Sequence, residues 1–181
     1  MSGAGRQRPS SRRRWGWHRL EPEWADRLVD HSQVRPGQLV VEFGAGTGAV
    51  TGPLLNSGAR VIAVERHPGR AETLRRKFSE QQAEDRLKVV ELDARDFRLP
   101  GRPFRVVASP PYSITSELLG LITTRGSRMV RADLLLQRAA VRRYVRRPPG
   151  RYAGALGLPV PRRAFAPPPE VDSAVLTLRR R

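Results

Sequence analysis

The sequence predicts an α/β fold: a mostly parallel seven-stranded sheet with helices on both faces. Three observations predict it. Short apolar runs alternate with polar or amphipathic stretches, the first run opens directly into a glycine loop, and an acid stands 21 positions beyond the first of those glycines. Leu39-Val40-Val41 is apolar without alternation, as a strand buried on both faces of a parallel sheet requires. Strand, glycine loop and helix in succession place a ligand site beyond the carboxyl ends of the strands.

The elements follow in order. Trp24, Ala25, Leu28 and Val29 recur at helical spacing and predict a helix over residues 22–31. Pro36-Gly37 marks a turn. After the glycines a helix runs to about residue 56 and is closed by Gly58. Residues 60–65 form the second strand, His67-Pro68-Gly69 a turn, and residues 71–82 a polar helix. Strands are expected at 87–92 and 105–108, a helix at 115–123, and a fifth strand at 132–137. A short basic helix covers 137–145, and residues 159–169, with five prolines, read as a loop. Residues 171–178 alternate well enough to be a last, antiparallel strand.

A chain of 181 residues suffices for one such domain. It has no cysteine, and His18, His31 and His67 are scattered, so neither a disulfide framework nor a metal site is expected. No apolar stretch approaches the length of a membrane span, and no apolar leader opens the chain, so no membrane association and a cytoplasmic location are expected. The formal net charge is +17, and all but Lys77 and Lys88 of the 34 basic residues are arginines. That charge is unevenly placed: residues 1–20 carry +6, residues 21–124 are neutral, and residues 125–181 carry +11. Cationic flanks beside a balanced centre suit a nucleic-acid partner held by its phosphates. Residues 1–14, rich in Ser, Gly, Pro and Arg, read as a disordered basic arm.

The glycines fall at 44, 46 and 48, preceded by Glu42, and do not match the G-x-G-x-x-G of a dinucleotide fold. S-adenosylmethionine lacks a pyrophosphate and carries a cationic sulfonium, so an acid near the loop suits it and a phosphate nest is unnecessary. Glu65 sits at the offset where a carboxylate meets a ribose diol. Asp93, ending the third strand, is placed to accept from the adenine amine of the cofactor, with the Ala94 N–H on the neighbouring ring nitrogen, while Asp96 caps a turn. Ser109-Pro110-Pro111-Tyr112 leaves the fourth strand and forms a slot for a flat heterocycle carrying an amine. Ser109 Oγ and the Pro110 carbonyl can accept from that amine, and the Tyr112 ring can stack on the base. Methyl transfer from a sulfonium mainly requires alignment, and the base must be flipped or unpaired. The residues thus predict a Rossmann-like S-adenosylmethionine-dependent methyltransferase acting on a base amine, with residues 15–181 as a single catalytic domain.

At this point the chain resembles the ribosomal RNA adenine dimethyltransferase family, and within it the macrolide-resistance (Erm) methyltransferases of actinomycete type. Gly16-Trp17-His18-Arg19-Leu20 stands where that family has G-Q-[NH]-F-L, which implies cofactor contacts from His18 and Leu20 beside Glu42, Gly44, Gly46, Glu65, Asp93, Ala94 and Ser109. Leu136-Gln137-Arg138 resembles its L-Q-[KR] strand end, and residues 165–173 its F-x-P-x-P-x-V-[DN]-S segment. Ser109 replaces the family's usual Asn, and Trp17 and Arg19 depart from its first motif. The resemblance implies methylation of an adenine amine in 23S ribosomal RNA, conferring macrolide, lincosamide and streptogramin B resistance. Ser109, Pro110 and Tyr112 would then be the catalytic residues, and the protein would act as a monomer. RNA contacts are expected from Arg12, Arg13, Arg14, Arg138, Arg142, Arg143, Arg162 and Arg163. Relatives continue into a small helical domain, and no separate C-terminal helical domain is expected here. Two other readings fit: a small-subunit rRNA adenine dimethyltransferase, or a non-catalytic RNA-binding factor on the same scaffold.

Overall fold

The computed structural model describes residues 18–181. The expected basic arm, with Arg12, Arg13 and Arg14, lies outside the described residues. A short strand β1 (Arg19–Leu20) leads into α1 (Pro22–Ser32), whose proline sits at the helix start, where its missing N–H costs nothing. There follow β2 (Leu39–Phe43), α2 (Thr51–Asn56), β3 (Arg60–Glu65), α3 (Pro68–Lys77), α4 (Ser79–Ala83) and β4 (Leu87–Glu91). The second half comprises β5 (Phe104–Ala108), α5 (Thr115–Ile122), β6 (Met129–Gln137), α6 (Arg138–Arg146), β7 (Tyr152–Val160), β8 (Phe165–Ala166) and β9 (Ser173–Arg180).

Seven strands form one sheet in the order β4-β3-β2-β5-β6-β9-β7. β9 runs antiparallel to both neighbours, and the rest of the sheet is parallel. Side chains alternate across it, so consecutive residues feed two cores. Val40, Val61, Ala63, Val107, Leu135 and Val175 pack with α1, α2 and α3 on one face. Val41, Val64, Val106, Leu134, Leu136 and Leu176 pack with α5 and α6 on the other. The expected helices on both faces are present.

Three elements differ from the sequence reading, the third being the stretch 159–169 expected as a loop, where β7 runs on to Val160 and Phe165–Ala166 form β8. The polar helix expected over 71–82 is two helices, broken at Phe78, whose ring turns in beneath the glycine loop. There a Cβ at Gly48, which has φ +90°, would lie 2.5 Å from Phe78 Cε2. The segment before the prolines, which carried no strand signal, is the edge strand β7. A sheet edge tolerates Pro159, and the glycines there answer to packing. A Cβ at Gly154 would meet the Tyr144 carbonyl at 2.8 Å, and one at Gly157 would meet His31 Nε2 at 2.6 Å. β1 pairs with β8, which brings residues 18–20 against the proline-rich segment and over the carboxyl ends of the central strands.

Candidate active site

Three cavities adjoin at the carboxyl ends of β2 to β5 and share walls. The largest, of about 330 Å³, is lined by Glu65 at the end of β3 and His67 after it, Leu92, Asp93 and Ala94 after β4, and Ile114 and Pro111 after β5. A second lies between His18, Leu20, Glu42 and the glycine loop and reaches Ser109. A third is a narrow slot of Ser109, Pro110, Tyr112, His18 and Phe165. Gly44 lines the first two and Ser109 the last two, so the three form one continuous groove. Gly44 is needed for this closeness. Its φ is +72°, and a Cβ there would stand 3.1 Å from Pro111 Cδ.

Glu65 is buried, and each carboxylate oxygen accepts one backbone N–H at 2.8 Å: Oε2 from Gly46 and Oε1 from His67. A carboxylate has about four acceptor sites, so Glu65 ties the glycine loop to β3 and still has room for two hydroxyl donors. Asp93 is differently placed. Its Oδ1 accepts the Arg95 N–H and Nε, and its Oδ2 accepts from Arg95 Nη2 and Arg66 Nη1. The side-chain and then the backbone hydrogen bonds from Arg95 hold this carboxyl far below its usual range, with the charges of Arg95 and Arg66 adding to the effect. Four donors saturate the group, so an adenine amine would have to compete with Arg66 and Arg95 for the acceptor role expected of Asp93. Ala94 is buried beside it.

Glu42 is also buried, and its Oε2 accepts the Thr51 hydroxyl at 2.6 Å. Burial pushes the Glu42 carboxyl up to about 8, against the Thr51 hydrogen bond and with help from the nearby Glu65 charge. The folded protein thus holds this proton more tightly than the unfolded chain. The contribution of Glu42 to stability is fullest below its ordinary value of 4.5 and is lost as pH rises towards about 8. Glu42→Gln is expected to flatten the fall in melting temperature between about pH 5 and about pH 8. Parallel melting curves for both proteins across that range would show that Glu42 is ionised when folded.

The slot is aromatic. His18 stacks against Tyr112 with ring centroids 6.2 Å apart and meets Phe165 edge-on at 6.5 Å. His18 Nδ1 lies 2.8 Å from the Pro167 carbonyl and donates to it, and the Tyr112 hydroxyl lies 2.6 Å from Ser173 Oγ. Burial, partly offset by the Ser173 hydrogen bond, raises the Tyr112 phenol above its ordinary value. Sequence reasoning assigned no role to Phe165 or Ser173. Their signal was the 165–173 segment itself, whose function lies in holding Tyr112 and closing the slot from across the fold.

Of the arginines expected at RNA, Arg138, Arg142 and Arg143 lie exposed on α6, which starts at the carboxyl end of β6. Arg143 covers the Tyr144 ring at 4.8 Å. Arg162 donates from Nε to the Pro169 carbonyl and so braces the proline segment, while Arg163 is exposed beside it. Among the described residues no group of three or more His, Asp or Glu is arranged to hold a metal ion, and no helix is long and apolar enough to cross a membrane.

The sheet order and the groove at its switch point define the Rossmann-like fold of S-adenosylmethionine-dependent methyltransferases. The sequence model of the ribosomal RNA adenine dimethylase family matches residues 11–181, and the chain belongs to that family. It is 36% identical over 190 residues to the ribosomal RNA small subunit methyltransferase A of Thermosynechococcus vestitus, covering 93% of this chain and 69% of that protein. The same enzyme of Cupriavidus taiwanensis is 35% identical over 168 residues, covering 83% of this chain and 59% of that one. Among solved structures, the 23S rRNA methyltransferase ErmE superposes with a TM-score of 0.79 at 28% identity, covering 90% of this chain and 69% of that chain. The chain thus spans roughly three-fifths to two-thirds of the length of these relatives.

Proposed function

We propose that this chain binds S-adenosylmethionine and methylates the N6 amine of an adenine in ribosomal RNA. The observation that carries this is the continuous groove: Ser109 belongs both to the cavity beside Glu42 and the glycine loop and to the aromatic slot. The Glu65 carboxylate and the partly apolar walls of the largest cavity fit an adenosine, with the glycine loop beside Glu42 leading on to the slot. Glu65 would take the ribose hydroxyls, the Ala94 N–H the adenine edge, with Asp93 accepting the adenine amine in place of one of its arginine donors, and His18, Leu20, Glu42, Gly44 and Gly46 the methionine portion. The cofactor supplies a methyl carbon activated by the adjoining sulfonium.

The chain's own residues would do the aligning. Tyr112 stacks on a flipped adenine, with His18 and Phe165 closing the slot. Ser109 Oγ and the Pro110 carbonyl accept from its amine, which draws the nitrogen lone pair out of conjugation and aims it along the groove. No strong base is needed at that step. Arg138 and Arg163 at the same rim, with Arg142 and Arg143 further along α6, would hold phosphates, with Arg12, Arg13 and Arg14 preceding them in the chain.

The choice of ribosomal subunit departs from the sequence reading, which placed 23S RNA and drug resistance first. The curated relatives at 35–36% identity are small-subunit methyltransferases and favour the small subunit. The structural likeness to ErmE at 28% identity supports the large subunit as the second reading. Mass spectrometry of both rRNAs from cells with and without the protein decides between them. Methyladenine appearing only in small-subunit RNA is expected. Its appearance only in 23S RNA, with macrolide protection, would reverse the order, and its absence from both would sink the proposal.

A further inference from the structure

At the amino ends of the parallel strands, opposite the groove, lies a separate cavity of about 460 Å³ whose walls include Arg35, Arg105, Arg131, Arg179 and Arg180. A neighbouring depression shares Arg105 and adds Arg60 and Arg102. The topology explains the placement: Arg105 and Arg131 lie near the starts of β5 and β6, Arg179 and Arg180 end the antiparallel β9, and Arg35 stands in the loop before β2, so one rim of the sheet collects them. Arg105 is only 9% exposed. Its Nη groups donate to the Ser32 and Gln33 carbonyls and to Gln38, while its Nε is buried without a partner. Asp133 is the one carboxylate in ion-pair range of these five arginines among the described residues. It is fully buried and already takes two donors from Arg131 and the Thr177 hydroxyl. Burial, and then the like charges of Arg131, Arg179 and Arg35, lower the affinity of Arg105 for its own proton. An anion in the cavity would relieve that repulsion.

We propose that this basal cavity is a phosphate-binding site that grips the backbone of the RNA substrate away from the reacting adenine. Identifying the polyanion as ribosomal RNA rests on the function proposed above; the cavity itself does not. Guanidinium forks match phosphate oxygens in pairs, and charge complementarity selects a nucleic-acid backbone. Arg105 is the second residue of β5 and Ser109 follows its end, so the two sites stand about 13 Å apart along the strand and on opposite rims of the sheet. A short hairpin seated in the slot would not reach the basal arginines, whereas a longer RNA that wraps the edge of the sheet would.

The test is the double variant Arg35→Glu/Arg179→Glu, with Arg35→Gln/Arg179→Gln as a milder form. Both residues are exposed and neither lies in the groove. Binding of full-length rRNA and of a hairpin carrying only the target adenine is measured over a series of KCl concentrations, and calorimetry with S-adenosylmethionine checks that the fold is intact. Full-length RNA is expected to bind on the order of tenfold more weakly, with a salt slope shallower by about one to two, at roughly 0.7–0.9 per phosphate lost. Hairpin binding, hairpin methylation and cofactor affinity stay as in the wild type. Unchanged affinity and slope on full-length RNA overturn the proposal. So does an equal loss on the hairpin. Competition by inorganic phosphate with no effect of the variants on RNA would reduce the cavity to a small-anion site and also overturn it. If the wild-type protein methylates neither RNA, the proposed activity fails, while the binding comparison still decides the basal site.

Discussion

Replacing Tyr112 by alanine is expected to lower methylation by roughly ten- to a hundredfold, because a flipped base loses stacking worth about 1–3 kcal/mol. Cofactor affinity should be spared, since Tyr112 lines the slot and not the two larger cavities. Tyr112→Phe separates ring from hydroxyl. It keeps the surface that stacks on His18 and gives up only the 2.6 Å contact with Ser173, worth about 1 kcal/mol. Most activity should therefore survive in the phenylalanine variant, and Ser173→Ala should resemble it. Steady-state rates on a target RNA, with calorimetry as the cofactor control, provide the check. Equal damage from both Tyr112 substitutions would show that the hydroxyl, and not stacking, governs the slot.

Glu65→Ala should lose about ten- to a hundredfold in S-adenosylmethionine affinity, the worth of a charge-assisted contact of roughly 1.5–3 kcal/mol. The structure adds a second consequence. Removing the carboxylate leaves the Gly46 and His67 N–H groups without their acceptor, so the glycine loop loosens and the melting temperature should fall as well. Glu65→Gln keeps one acceptor oxygen but turns an amide donor towards a backbone N–H, and should lie between the wild type and the alanine variant. Titration calorimetry showing wild-type affinity in Glu65→Ala would remove this residue from the cofactor site.

How much of this was legible depended on the range of the interaction. Strand β3 falls at the residues expected, and β2, β4 and β5 within two residues of their expected ends, because each carries its own local apolar run, even β4 at the edge of the sheet. The positions of Glu65 and Ser109 at strand ends follow from the same runs. Strand β7 was not legible. Its apolar run is interrupted by Gly154, Gly157 and Pro159, and the two glycines admit the Tyr144 carbonyl and His31, contacts that only the fold brings about. The saturation of Asp93 was hidden for a related reason. Arg95 is two residues away, but its fork faces the carboxylate only because the three residues Ala94–Asp96 form a single tight turn, and Arg66 arrives from the neighbouring strand end.

By itself the sequence determined the class of fold, the methyl-donor motif and the base loop, since each is written in a few consecutive residues whose spacing has one economical backbone solution. Tertiary structure alone decided three other matters. Ser173 and Tyr112, 61 positions apart, meet because β9 returns antiparallel beside β6 and delivers its first residue to the carboxyl rim. His18 and Phe165 close the slot because β1 pairs with β8. Arginines scattered from position 35 to 180 converge on one cavity because parallel strands begin, and the antiparallel strand ends, on the same rim of the sheet. None of these partners is a sequence neighbour of the other, so no local propensity reports the pairing. It appears only when chain direction and sheet order bring distant strand ends together.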